Sequence, residues 1–167
     1  MYDSTMKLSI ITLLVLVACF DISRAQTSSN QTNNYMEATA ERSSIENLIC
    51  AYSDAFNAAD ISKTIAVYAQ DGVLMPQGAP TAIGTEQLKA TFGFLFSNFR
   101  IRIDYVIDAI TVHGDYAYAR TSSKVNTVVI ASGETISIDN KELFVLQRVK
   151  GQWKISHYIF NNTTKRG

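Results

Sequence analysis

The sequence predicts an α+β fold, three helices followed by one long antiparallel sheet. Apolar residues recur at intervals of three and four as far as Phe99, and from Arg100 onward the period changes to two. Turn signals then come at hairpin spacing: His113-Gly114-Asp115, Ser132-Gly133 and Lys150-Gly151.

Residues 1–25 read as a signal sequence, because Lys7 precedes the apolar run LSIITLLVLVACF, which is too short to span a bilayer as a stable helix. Two processing routes fit. Ser23-Arg24-Ala25 places small residues before a cut at Gln26, whereas Leu16-Val17-Ala18-Cys19 looks like a lipobox that makes Cys19 a lipid anchor. Either route exports the domain, secreted or periplasmic, with membrane contact only through Cys19. Residues 26–38 are rich in Ser, Thr, Asn and Gln and read as a flexible tether. Residues 39–164 are long enough for one domain.

Fifteen basic and fifteen acidic residues balance to a net charge of zero, and no basic stripe is interleaved with aromatics, so no nucleic-acid partner is expected. Cys50 lies in the apolar run IENLICAYSDAF and reads as a buried, inert thiol. The two histidines, His113 and His157, have no ligand partner at short spacing. No metal site and no cofactor are therefore expected.

The first helix carries Ile45, Leu48, Ile49, Tyr52, Ala55 and Phe56 on one stripe, and Ser43 or Ser44 is placed to cap it. Asp60 is a good N-cap for a short second helix with Ile61, Ile65 and Tyr68 on one side. Asp71-Gly72 marks a turn, Val73-Leu74-Met75 a short strand, and Pro76 to Pro80 a loop. Thr85 caps the third helix, whose apolar side is Leu88, Phe92, Leu95, Phe96 and Phe99. A meander follows: Arg100 to Val112 with a bulge near Val106, Tyr116 to Val129, Thr135 to Val149, and Gln152 to Asn161. The last two strands are apolar on both faces, with Phe144, Leu146, Trp153 and Ile155 on one and Leu143, Val145, Tyr158 and Phe160 on the other. The concave face is expected to hold the helices and a cavity, and the convex face to pack against a second copy of the chain, unless these are scattered surface hydrophobes.

The run from Ile45 to Phe92, closed by KGQWKISHYIFN, resembles the SnoaL-like and ketosteroid-isomerase-like group of the nuclear transport factor 2 superfamily. The motifs are helix-Asp-helix-Tyr-x-x-Asp-Gly, a Gly before the third helix, and Gly-x-Trp-x-Ile in the last strand. The resemblance implies a conical α+β barrel, commonly dimeric, with an apolar pocket between sheet and helices, and is nearly silent on activity. Steroid isomerases of the group use a first-helix tyrosine as oxyanion donor, a protonated sheet aspartate beside it, and an aspartate base after the first short strand. By this resemblance Tyr52 takes the donor position and Tyr68 matches a second-helix tyrosine. The base position falls on Met75 or Pro76, neither of which accepts a proton. The inward phase of the strand that would carry the second acid offers Leu143 and Val145, leaving Glu142 one residue out of phase. Asp71, beside Gly72, reads as a structural turn residue.

These readings favour an exported domain that binds a small hydrophobic or aromatic molecule in a pocket of Tyr52, Phe56, Tyr68, Met75, Phe92, Tyr158 and Phe160, unless these side chains simply fill the core. The alternatives are an isomerase or dehydratase acting beside a carbonyl, with Tyr52 as donor and Glu142 or His157 as base, and an interaction module that binds no ligand.

Overall fold

The computed structural model describes residues 35–163. The chain divides into two compact units, Met1–Ala40 and Glu41–Gly167. Of the first, residues 35–40 are described and are helical, residues 35–38 of the expected tether among them, and Thr39 Oγ1 donates to the Tyr35 carbonyl at 2.9 Å. The expected signal segment, the expected lipobox at Cys19 and the rest of the expected tether lie outside the described residues. The second unit carries the sheet and the helices that pack on it.

In that unit helix α1, residues 41–57, buries Ile45, Ile49, Tyr52, Ala55 and Phe56, one stripe at helical spacing. Cys50 is rotated off that stripe and is exposed, contrary to the expectation of a buried thiol. The helix ends in a Schellman motif, with Ala59 N–H donating to the Phe56 carbonyl and Asp60 N–H to that of Ala55, both at 2.9 Å. The left-handed residue of this motif is Ala59, at φ 54°. Asn57 then ties the helix end to the sheet: its Nδ2 donates to the Ile103 carbonyl at 2.9 Å and its Oδ1 accepts from Ile103 N–H at 2.8 Å.

Asp60 caps α2, Ile61–Ala66, by accepting from Lys63 N–H at 3.0 Å. Tyr68 is not on this helix. It opens strand β1, Tyr68–Met75, which runs through Asp71 and Gly72. The sequence signal for a turn there marks a bulge, because between Tyr68 and Val73 the parallel pairing of β1 with the last strand shifts register. Gly72 is required by close approach: a Cβ would lie 2.9 Å from both the Ala69 carbonyl oxygen and Tyr68 Cδ1.

Strand β2, Ala82–Ile83, leads into α3, Gly84–Asn98, which buries Leu88 and Phe92. Thr85 does not cap it. The N-cap is Ile83, whose N–H donates to Gln87 Oε1 at 2.9 Å.

Strands β3 (Phe99–His113), β4 (Tyr116–Val129), β5 (Thr135–Val149) and β6 (Gln152–Asn162) form the expected meander, with the irregularity in β3 between Ile107 and Ala109. The curved sheet has six strands in the order β2-β1-β6-β5-β4-β3, with β1 and β6 parallel. A third shift, opposite Val145 and Leu146, leaves Ser156 as the extra residue of β6. Trp153 and Ile155 are buried before it, and Tyr158 after it, so the alternation changes phase at Ser156. Tyr158 and Phe160 are therefore interior, as expected, but the β5 residues that share the interior with them are Phe144 and Leu146, not Leu143 and Val145. The turn-side end of the sheet is held to α1 by Glu41, whose carboxylate accepts from Trp153 Nε1 at 2.6 Å and pairs with Arg148 at 2.8 Å.

Candidate functional site

Between the concave face of the sheet, α1 and α3 lies a cavity of about 670 Å³. Tyr52 and Phe56 face it from α1, Phe92 and Leu95 from α3, and Ile103 and Val125 from the meander. Tyr158 and Phe160 close one side, and the loop carrying Pro76 and Pro80 edges the mouth. The polar residues among its lining are Tyr52, Tyr158, Asn140, Gln87 and three threonines, Thr81, Thr91 and Thr127, and among the described residues none that lines it carries a formal charge.

The tyrosines form one cluster. The Tyr52 ring meets Tyr158 at 5.6 Å between centroids and Tyr68 at 5.9 Å, both edge-on. Tyr105 and Tyr158 share a hydroxyl–hydroxyl hydrogen bond of 2.9 Å. Burial pushes the pKa of each of these four phenols above its ordinary value, so all remain neutral donors near neutrality.

Glu142 differs from expectation. It faces inward and is only 4 % exposed, on the same side of β5 as Asn140, Phe144 and Leu146. The inward phase is the even one, set by Phe144 and Leu146, while Leu143 is 39 % exposed on the outer face. Both carboxyl oxygens are engaged: Thr121 Oγ1 donates to Oε2 at 2.6 Å, and Ser123 Oγ donates to Oε1. Burial raises its pKa, and these hydroxyls oppose the rise only in part. It does not line the cavity.

Of the residues anticipated from sequence, Tyr52, Phe56, Phe92, Tyr158 and Phe160 line the cavity. Tyr68 is buried behind Tyr52, and Met75 gives way to its neighbours Leu74 and Pro76. His157 is exposed, paired in register with outward Val145, with Ser156 Oγ 2.8 Å from its Nδ1; it does not face Tyr52. Asp71 is exposed on the β1 bulge. Asn140 was missed, although extending the phase of Phe144 and Leu146 two and four residues back points both Glu142 and Asn140 inward. Among the described residues, no group of three or more His, Cys, Asp or Glu is placed to hold a metal ion, and no helix is long and apolar enough to cross a membrane.

A curved sheet closed over a cavity by helices is an α+β fold of the nuclear transport factor 2-like kind. The chain belongs to the SnoaL-like domain family, whose model matches residues 45–160. It is similar to the crystal structure of a ketosteroid isomerase-like protein from Erwinia carotovora atroseptica, at 30% identity over 74% of this chain and 96% of that one, with a TM-score of 0.69. The fold is also that of a nuclear transport factor 2-like protein with a cystatin-like fold from Novosphingobium aromaticivorans, at 21% identity over 79% and 88% of the two chains and a TM-score of 0.66. A conserved protein from Planctomyces limnophilus matches at 16% identity over 74% and 98%, with a TM-score of 0.68. No curated protein matches.

Proposed function

We propose that the domain is exported by the N-terminal segment that contains Lys7 and its following apolar run, and that it binds a small, uncharged, hydrophobic or aromatic molecule in this cavity. The observation that carries the reading is the wall itself: about 670 Å³ bounded by aromatic and aliphatic side chains, with a few hydroxyl and amide residues and, among the described residues, no ionisable acid or base other than phenols. Pockets of that size and composition suit compact hydrophobic ligands. Tyr52 and Tyr158 supply the polar handles, as neutral phenols.

The test is ligand-linked stability. A neutral bicyclic aromatic such as 1-methoxynaphthalene, at a concentration one hundred times its Kd, should raise unfolding free energy by about 2.7 kcal/mol. Val125→Phe, which fills the cavity from β4, should abolish that gain while the domain still unfolds cooperatively. A gain that survives the filling places the ligand elsewhere.

A second reading, an isomerase or dehydratase acting beside a carbonyl with Tyr52 as oxyanion donor, is the weaker, because Glu142 stands outside the cavity lining with both carboxyl oxygens engaged. Turnover of a carbonyl substrate that is lost in Tyr52→Phe would favour it over binding alone. Under either reading the proposed assembly is a homodimer through the outer face of the sheet, where His113, Tyr116, Tyr118, Leu143 and Val145 line an apolar groove.

A further inference from the structure

The wall of the cavity changes character along the strands. Rows of paired residues cross the inner face of the meander, and residues directly opposite in an antiparallel ladder point to the same side. Tyr105, Ser123 and Asn140 form one row. It lies at the tyrosine cluster: the Tyr105 ring is 6.2 Å from that of Tyr52, and its hydroxyl is bonded to that of Tyr158. Ile103, Val125 and Ile138 form the next row, and Ile101, Thr127 and Ile136 the one after it. Aromatic rings thus crowd one end of the hollow, and a mostly aliphatic wall leads away from them.

That wall runs out of the enclosed space. Ile101 and Thr127 still line the cavity, but their row neighbour Ile136 stands beyond the lining and is 42 % exposed. From α3, Phe94 lines the cavity and is nevertheless 64 % exposed, its ring edge-on to Phe99 at 6.3 Å. A single exposed apolar side chain needs no explanation, whereas these two each continue a wall that begins inside. The Tyr105 row and the Ile101 row are four residues of strand apart, about 13 Å.

We propose that the ligand is a neutral aromatic ring carrying a flexible alkyl chain. The ring seats among Tyr52, Phe92 and Tyr158, and the chain follows the Ile103 and Ile101 rows to emerge between Ile136 and Phe94. The inference rests on the reading that the cavity is a ligand site, and it names the class of molecule that site selects. A compact ring compound leaves Ile136 and Phe94 in water. A chain of several methylenes covers them, and the three rows present it with no charged side chain whose hydration it would have to remove.

Calorimetric titration of the domain with 4-methyl-, 4-butyl-, 4-hexyl- and 4-octylphenol tests this. Each methylene buried along the rows should tighten binding about threefold, and the gain should continue past butyl. Phe94→Ser combined with Ile136→Ser, both at exposed positions, should lower the octyl-to-methyl affinity ratio about tenfold. Should the double variant fail to fold, either single change reads the same ratio, with a fall of about threefold. If wild-type affinity stops rising at butyl, the chain assignment is overturned and the cavity reading stands. If the ratio is unchanged in the variants, the chain lies elsewhere and the assignment is likewise overturned. A parent dimer that becomes monomeric in the double variant by light scattering gives Phe94 and Ile136 to a second copy; phosphatidylcholine vesicle binding lost in the double variant gives them to a lipid surface. Either result overturns the assignment. If none of the alkylphenols binds, both readings fall.

Discussion

Phe144 lies flat against Tyr158, with ring centroids 4.2 Å apart and planes inclined by 2°. The stack joins β5 to β6 and holds the Tyr158 hydroxyl 2.9 Å from that of Tyr105 on β3, so the aromatic packing of the core also sets the polar end of the cavity. Tyr158→Phe should keep the stack and lose the hydrogen bond, leaving Tyr105 short of a partner, at a cost of about 1–2 kcal/mol. Phe144→Ala should cost about 3–5 kcal/mol by removing the stack itself. Urea midpoints at unchanged m value measure both; equal costs for the two variants would show that the stack does not hold the core.

Ala59 occupies the left-handed position of the Schellman motif that ends α1, where a Cβ is unfavourable. Ala59→Gly removes that strain and should stabilise the domain by about 0.5–1 kcal/mol, net of the extra freedom glycine has in the unfolded chain. Thermal unfolding checks the sign, and a lower Tm would contradict it.

Two carboxylates give stability opposite slopes with pH. Burial raises the folded pKa of Glu142 above 4.5, so in the window between 4.5 and the raised value the folded state holds the proton that the unfolded state releases. Stability therefore falls as pH rises through that window. The Arg148 guanidinium, with Trp153, holds Glu41 below 4.5, so its contribution is present above 4.5 and is lost as pH falls through the lowered value. Urea midpoints across pH 3 to 8 should lose the falling slope in Glu142→Gln and the low-pH loss in Glu41→Gln. Identical profiles for wild type and Glu142→Gln would mean that Glu142 does not titrate with folding.

The outer face carries Tyr116 at 60 % exposure and Tyr118 at 43 %, beside Leu143. A charge in that groove should block self-association, so Leu143→Glu is expected to be monomeric where the parent is dimeric, with fold and ligand binding retained. Light scattering coupled to size exclusion reads the outcome; a monomeric parent would refute the proposed dimer.

Periodicity and turn residues made the meander legible. β4 and β5 run over the same residues that alternation and the hairpin signals mark out, because pairing in a meander is between neighbours in sequence. Non-local pairing was not legible. Asp71-Gly72 reads as a turn until β1 is laid parallel to β6, and Tyr158 and Phe160 read as sharing one inward face with Leu143 and Val145 until Ser156 is seen to add a residue. The site suffered from the same cause. Anchoring the phase of β5 on Leu143 turned Glu142 outward and hid Asn140, although Phe144 and Leu146 held the right phase. Whether the aromatic side chains fill the interior or surround a hollow depends on volumes across the whole domain, which no local pattern encodes.

The most direct measurement of whether the interior holds a ligand is the set of nuclear Overhauser contacts between a bound neutral bicyclic aromatic and methyl-labelled protein. A ligand in the cavity predicts contacts to the methyl groups of Ile103, Val125 and Ile138 and none to Leu143 or Val145 on the outer face. Contacts confined to Leu143 and Val145, or none at saturating ligand, would contradict it.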